Sequence, residues 1–191
     1  MTLEIKKAIS ILKKGGIVIF PTDTAFGIGC RIDNKTVIKK LFALRKRPIS
    51  QATPVLVNSK EMAKKYLRSP IPNNVRHLME KYWPGGLTII YPCNKKIVPD
   101  YVRGGGENLG VRMPNHKIAL ELINGAGVPI LGPSANYHGD KTPYRYEDLN
   151  YKLIKSVDYV LKGECKENIA STVVNCSVKP WKIIRQGAVR V

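Results

Sequence analysis

Helical and strand periodicities alternate along nearly the whole chain, which restricts it to a sheet covered by helices, with function in the connecting loops. Ile5, Ala8, Ile9 and Leu12 recur at helical spacing, and Gly15-Gly16 follows as a stop because glycine accepts the left-handed cap conformation. Ile17–Phe20 then reads as a buried strand leading into the turn formers Pro21-Thr22-Asp23-Thr24. Asn34 is placed to cap a helix with the stripe Val37, Ile38, Leu41, Phe42 and Leu44, ending before Pro48. Further predicted strands are Pro54–Val57, Leu87–Tyr91, Leu109–Met113, Val128–Leu131, Asp158–Leu161, Ser171–Cys176 and Ile183–Ile184. Asn74–Trp83 and Lys117–Asn124 read as helices. No repeat or linker interrupts the pattern, so residues 1–191 are expected to form one α/β domain.

A chain of this length buries enough surface to fold without a metal or disulfide. Its apolar runs fall far short of the roughly 20 residues that span a bilayer, and the first helix lacks a signal-peptide core, so a cytoplasmic protein without membrane contact is expected. Cys30, Cys93, Cys165 and Cys176 are scattered with no CxxC pair and read as reduced, buried thiols. Thirty-two Lys+Arg against fourteen Asp+Glu give a formal charge of +18, which favours polyanionic partners such as nucleotides, tRNA or duplex RNA. Many of these lysines also fit a solvated helix face.

Several familiar chemistries lack their signatures. There is no GxxxxGK[ST] phosphate loop and no GxSxG elbow, and Gly104–Gly110 misses the dinucleotide spacing. His77, His116 and His138 fit no metal-ligand pattern. What remains is a set of polar, basic loops at strand ends. Phe20–Gly27 offers two threonines and a carboxylate, and Arg45-Lys46-Arg47-Pro48 offers three cations after a helix. Gly132-Pro133-Ser134-Ala135-Asn136 places a hydroxyl and an amide two residues apart, on one side if the segment is extended. Arg112 lies within a strand, where an unpaired charge would be costly to bury. Singly, each fits a turn or a solvated helix end as well as a site; together they describe an anion-binding α/β domain.

In this order those segments resemble the YrdC family. The carriers are Gly16–Gly29, Arg45–Pro48, Trp83–Thr88, Val111–Pro114, Pro133–Gly139, Ser171–Val174 and Arg185–Gly187, spread over nearly the whole chain. The length is similar to that of the short, single-domain members. The resemblance implies a twisted, open, mixed sheet covered by helices, with a basic concave face. It also implies a synthase that condenses L-threonine, bicarbonate and ATP to threonylcarbamoyl-AMP and pyrophosphate. A downstream tRNA threonylcarbamoyl transferase would then carry the group to adenosine-37. The alternative within the family is a non-catalytic module that binds tRNA or duplex RNA.

Carried onto this sequence, the resemblance gives Arg45, Arg47, Ser134 and Asn136 as the residues expected to act on the phosphates. Lys46, Gln51, Asn108, Thr142 and Arg185 are further expected ATP contacts. Thr24, Asn58, Arg112, Gly132 and Ser171 are expected around threonine, with Arg112 on its carboxylate. Magnesium is expected to arrive on the ATP phosphates, with no ligand set of the protein's own. The sequence departs from the family pattern at Arg45 (usually lysine), Phe26 (tyrosine), Asn58 (often histidine), Asn108 (threonine) and His138 (serine). The segment between Arg47 and Pro54 also reads as two residues longer.

Overall fold

In the computed structural model, which describes residues 1–191, helix α1 (Leu3–Lys13) starts where Thr2 accepts the Ile5 amide at 3.3 Å. It stops at Gly15, whose φ of +84° is the left-handed cap expected of glycine. β1 (Val18–Phe20) pairs antiparallel with β2 (Gly27–Gly29) and parallel with β7 (Tyr159–Val160). The remaining six strands form a mixed sheet in the order β6 (Ile130–Leu131), β3 (Val55–Leu56), β5 (Asn108–Arg112), β4 (Leu87–Pro92), β8 (Thr172–Asn175), β9 (Lys182–Arg185).

The strands thus divide into two sheets rather than one, joined by bridges Gly27 to Ser134 and Arg31 to Ile130. The junction is β2, which propensity does not reveal because two of its three residues are glycine. Gly29 is required there: a Cβ would lie 2.0 Å from the Leu131 carbonyl oxygen.

α1 packs against α5 (Lys117–Ala126), where Ile9 and Leu12 join Leu122, Ile123, Val18 and Phe20 in the smaller core. Truncating a side chain as enclosed as Leu12 to alanine should cost about 2–5 kcal/mol. The larger core takes Val37, Ile38 and Leu41 from α2 (Lys35–Leu44) and Val75, Leu78 and Met79 from α4 (Asn73–Tyr82). Two short helices, α3 (Lys60–Tyr66) and α6 (Tyr151–Lys155), carry only one buried residue each, too little apolar signal to be read from sequence. No helix is long and apolar enough to cross a membrane.

Strand alternation decides what the sheet offers on its other side. Leu87 and Ile89 of β4, and Leu109 and Val111 of β5, face the larger core. Thr88, Ile90, Asn108, Gly110 and Arg112 therefore project from the opposite face.

All four cysteines are buried, and burial pushes the Cys30 thiol up to about 12 and those of Cys165 and Cys176 to about 11. Native protein at pH 8 is expected to react slowly with a thiol-disulfide reagent, and denatured protein to release four equivalents promptly. Fast labelling of the native protein would contradict this packing.

Candidate active site

The core-averted face of the larger sheet forms the floor of a cavity of about 570 Å³. Five arginines line it; Arg112 and Arg103 are paired with Asp23 and Asp100, whereas Arg45, Arg47 and Arg185 have no carboxylate partner, and the one lining carboxylate, Glu107, is engaged by Lys95. A concave site with this imbalance suits an anionic ligand.

The Thr22–Thr24 segment is both a turn and part of the site. The Thr22 hydroxyl donates to the Ala25 carbonyl at 2.7 Å and accepts the Thr24 and Ala25 amides at 3.2 Å, which closes the turn. That turn leaves Asp23 and Thr24 to hold Arg112. Arg112 is 6% exposed; it donates through Nη2 to Asp23, through Nη1 to Thr24 Oγ1 at 2.6 Å, and through Nε to the Gly85 carbonyl at 2.9 Å. These use three of the five guanidinium N–H groups, leaving two for a ligand. Burial pulls the Arg112 pKa down, with Asp23 opposing in part.

Beside it, Arg185 donates to the Ser171 carbonyl at 2.9 Å and to its hydroxyl at 3.0 Å, and Ser171 Oγ lies 2.9 Å from Thr88 Oγ1. Burial also pulls the Arg185 pKa down.

Behind Asp23, the His116 Nε2 lies 3.2 Å from the Glu164 carbonyl, while its Nδ1 is buried without a partner. Burial holds this imidazole below its ordinary range, and the Glu164 carbonyl and Asp23 offset that only in part. As pH falls below about 6.5 the unfolded chain takes the proton first. The stability contributed by neutral His116 is therefore present above that value and lost as pH drops through the folded pKa. Thermal melts of His116→Asn should fall less steeply between pH 7 and pH 5 than those of the wild type; parallel curves would remove His116 from the acid response.

The arginine pair after α2 owes its direction to the helix end. The Arg47 amide bonds the Phe42 carbonyl at 2.9 Å and the Lys46 amide bonds that of Ala43 at 3.0 Å, a Schellman closure. Lys46 takes the left-handed position, at φ 53°. Its ammonium consequently turns away from the cavity, over the Tyr137 ring at 5.1 Å, while Arg45 and Arg47 face inward. Arg45 is 3% exposed, donates to the Asn136 carbonyl at 3.0 Å, and has no carboxylate partner. Burial, then the neighbouring Arg47, lowers its pKa to about 10; burial lowers that of Arg47 as well. This is a positive pair, Arg45 buried and Arg47 half-buried, rather than a solvated helix end, and a bound anion would offset the charge that burial leaves unpaired.

Ser134 faces the cavity, but Asn136 does not share its side as an extended segment would require. The Asn136 amide bonds the Ser134 carbonyl at 2.9 Å, a tight reversal that turns its side chain onto the next loop. There its Nδ2 donates to the Tyr137 and Asp140 carbonyls at 2.9 and 2.8 Å.

Of the other expected contacts, Thr24, Asn108, Gly132, Thr142, Ser171 and Arg185 line the cavity. Lys46, Gln51 and Asn58 do not. Gln51 contributes its carbonyl, 3.4 Å from Arg47 Nε, and Asn58 bonds Asn124 of α5 at 3.2 Å. Asn58 would follow Leu56 on the cavity face, but the strand ends at Leu56 and the chain turns to let Ser59 cap α3.

Arg103 and Thr88 are cavity residues that the site reading missed. Thr88 sat within a recognised motif, where alternation about Leu87 and Ile89 points it to this face. Arg103 sits outside every motif, and its only signal was a cation beside three glycines.

Comparison with known proteins places this geometry. The Sua5/YciO/YrdC family profile, described as telomere recombination, matches residues 10–187. The chain is 31% identical over 188 residues to threonylcarbamoyl-AMP synthase of Bacillus subtilis, covering 97% of this chain and 54% of that protein. It is 31% identical over 193 residues to the putative threonylcarbamoyl-AMP synthase of Methanocaldococcus jannaschii, covering 98% and 89%. Pyrococcus abyssi Sua5 complexed with L-threonine superposes with a TM-score of 0.88 at 29% identity, over 96% of this chain and 54% of that one. Escherichia coli YciO does so at 0.86 and 26%, over 97% and 90%. The chain therefore spans about half the length of some of these relatives and most of others. Profile, relatives and fold agree: the chain belongs to the Sua5/YciO/YrdC family.

Proposed function

We propose that this chain is an L-threonylcarbamoyladenylate synthase, a nucleotidyltransferase that condenses L-threonine, bicarbonate and ATP to threonylcarbamoyl-AMP and pyrophosphate. The observation that carries the reading is one cavity with two arginine groups: Arg112 with Thr24 and Ser171, and Arg45 with Arg47. The first group suits an amino-acid carboxylate, because Arg112 keeps two free N–H groups in a fixed fork. The second suits a polyphosphate, because its charges have no protein counterion. A relative of this fold complexed with L-threonine supports the amino-acid assignment.

In the proposed reaction bicarbonate loses water to give CO2, the threonine amine adds to its carbon and gives up a proton, and an oxygen of the resulting carbamate attacks the α-phosphorus. The carbamate O–P bond forms, the bond to the β-phosphate oxygen breaks, and pyrophosphate leaves with that electron pair. The chain supplies no covalent nucleophile; its residues orient the two substrates and neutralise the phosphates. Magnesium would come with ATP and spread the charge of its phosphates. Cytoplasmic tRNA, through a downstream threonylcarbamoyl transferase, is the proposed destination of the product.

The test is pyrophosphate release from ATP and Mg2+ with threonine and bicarbonate each present or omitted. Release that needs both, with the threonylcarbamoyl-AMP mass detected, is the expected result. No release, with neither substrate raising the melting temperature, would overturn the reading in favour of an RNA-binding module.

A further inference from the structure

β9 is the one strand whose every residue is exposed. Ile183 is 51% and Ile184 58% exposed, although most aliphatic side chains on the other strands are buried. β9 ends the six-stranded sheet, so its outer edge has no neighbour, and no turn or loop hydrogen-bonds its backbone. The surrounding sequence has one sign of charge. From Asn168 to Val191 it carries Lys179, Lys182, Arg185 and Arg190 and no aspartate or glutamate.

We propose that β9 is a docking edge for an extended, acidic segment of a partner protein, which adds to the sheet as a further strand. An open edge supplies the backbone donors and acceptors for strand addition, and the side chains beside it select the partner. Here those side chains are an adjacent aliphatic pair flanked by Lys182 and Arg185, and because directly opposed residues pair on one face this calls for two adjacent apolar residues flanked by carboxylates. A second copy fits poorly. An antiparallel pairing of two β9 strands that matches the isoleucine pair with itself sets Lys182 opposite Arg185, and like charges placed so are destabilising. RNA would use the cations but leave the edge and the isoleucines unmet, since single strands stack on aromatic rings. Ile184 and Arg185 also line the cavity, so the docked strand lies at its rim, where a partner could take a labile product. The docking surface itself does not depend on the reaction proposed above.

Full-length 15N-labelled protein is titrated with a blocked peptide repeating glutamate-valine-valine-glutamate, and amide hydrogen exchange is read at residues 182–186. The same peptide with lysine in place of each glutamate and a short RNA duplex serve as comparisons. The glutamate peptide is expected to slow exchange at β9 at least tenfold. Ile183→Lys is expected to weaken that peptide at least tenfold while leaving the ATP-induced melting shift intact, which shows that the variant folds. Four results would overturn the proposal: no slowing by the glutamate peptide, equal binding of the lysine peptide, protection of β9 by the duplex instead, or a concentration-dependent dimer that protects β9 by itself.

Discussion

Arg112→Ala is expected to abolish the rise in melting temperature that L-threonine gives, and to lower the melting temperature of the free protein too. The two losses have different causes. The first removes the guanidinium fork expected to meet the amino-acid carboxylate. The second strands Asp23, which is 3% exposed and loses its ion-pair partner. Breaking a buried pair on one side costs about 3–5 kcal/mol, and for a chain of this size each kcal/mol moves the midpoint by roughly 2–4 °C.

The double variant Asp23→Asn with Arg112→Ala separates these causes. It should recover most of the stability, because no unpaired charge remains, and none of the threonine response. A single Arg112→Ala variant that keeps the full response would show that the carboxylate binds elsewhere. The sequence alone predicted only the first loss, since nothing in it linked Asp23 to Arg112.

Arg47→Gln is expected to weaken ATP binding by about 10- to 100-fold, read by calorimetry, with little change in fold. Hydrogen bonds to charged groups contribute roughly 1.5–3 kcal/mol, and Arg47 offers such bonds from a site with no protein carboxylate in contact. Because the enclosed pair is partly shielded from solvent, some of the affinity should persist at high salt. Lys46→Gln is the decisive comparison. Its neighbours in sequence are both cavity residues, but the left-handed backbone at Lys46 turns it out toward Tyr137. Its loss should leave ATP affinity within about twofold, well under the ~1.4 kcal/mol that makes a tenfold change. Equal losses at both positions would mean that the loop rearranges on binding.

The sites of legibility and failure have physical causes. Strands β4 and β5 are readable because alternation of Leu87, Ile89, Leu109 and Val111 sets one face against the core. Arg112 follows from the same rule, since it must lie opposite Val111. β2 was not readable because glycine pairs there for closeness to Leu131, a distance that no propensity encodes. Asn136 and Asn58 were expected beside the ligands and stand outside the cavity, for one shared reason. Each lies beyond a strand end, Asn58 two residues past Leu56 and Asn136 five past Leu131, where spacing ceases to report direction and the turn of the chain sets it instead.

By itself, then, the sequence determined the types of the longer elements, the alternation of β4 and β5, and the loops that could hold anions, because periodicity and turn chemistry act over a few residues. Only the tertiary structure decided that the strands form two sheets, that Asp23 pairs with Arg112 across 89 residues, and that Arg103 joins the cavity. It also decided that Lys46 leaves the site while its neighbours remain. Those outcomes depend on which backbones approach and which charges are enclosed together, quantities fixed when the whole chain packs and not before.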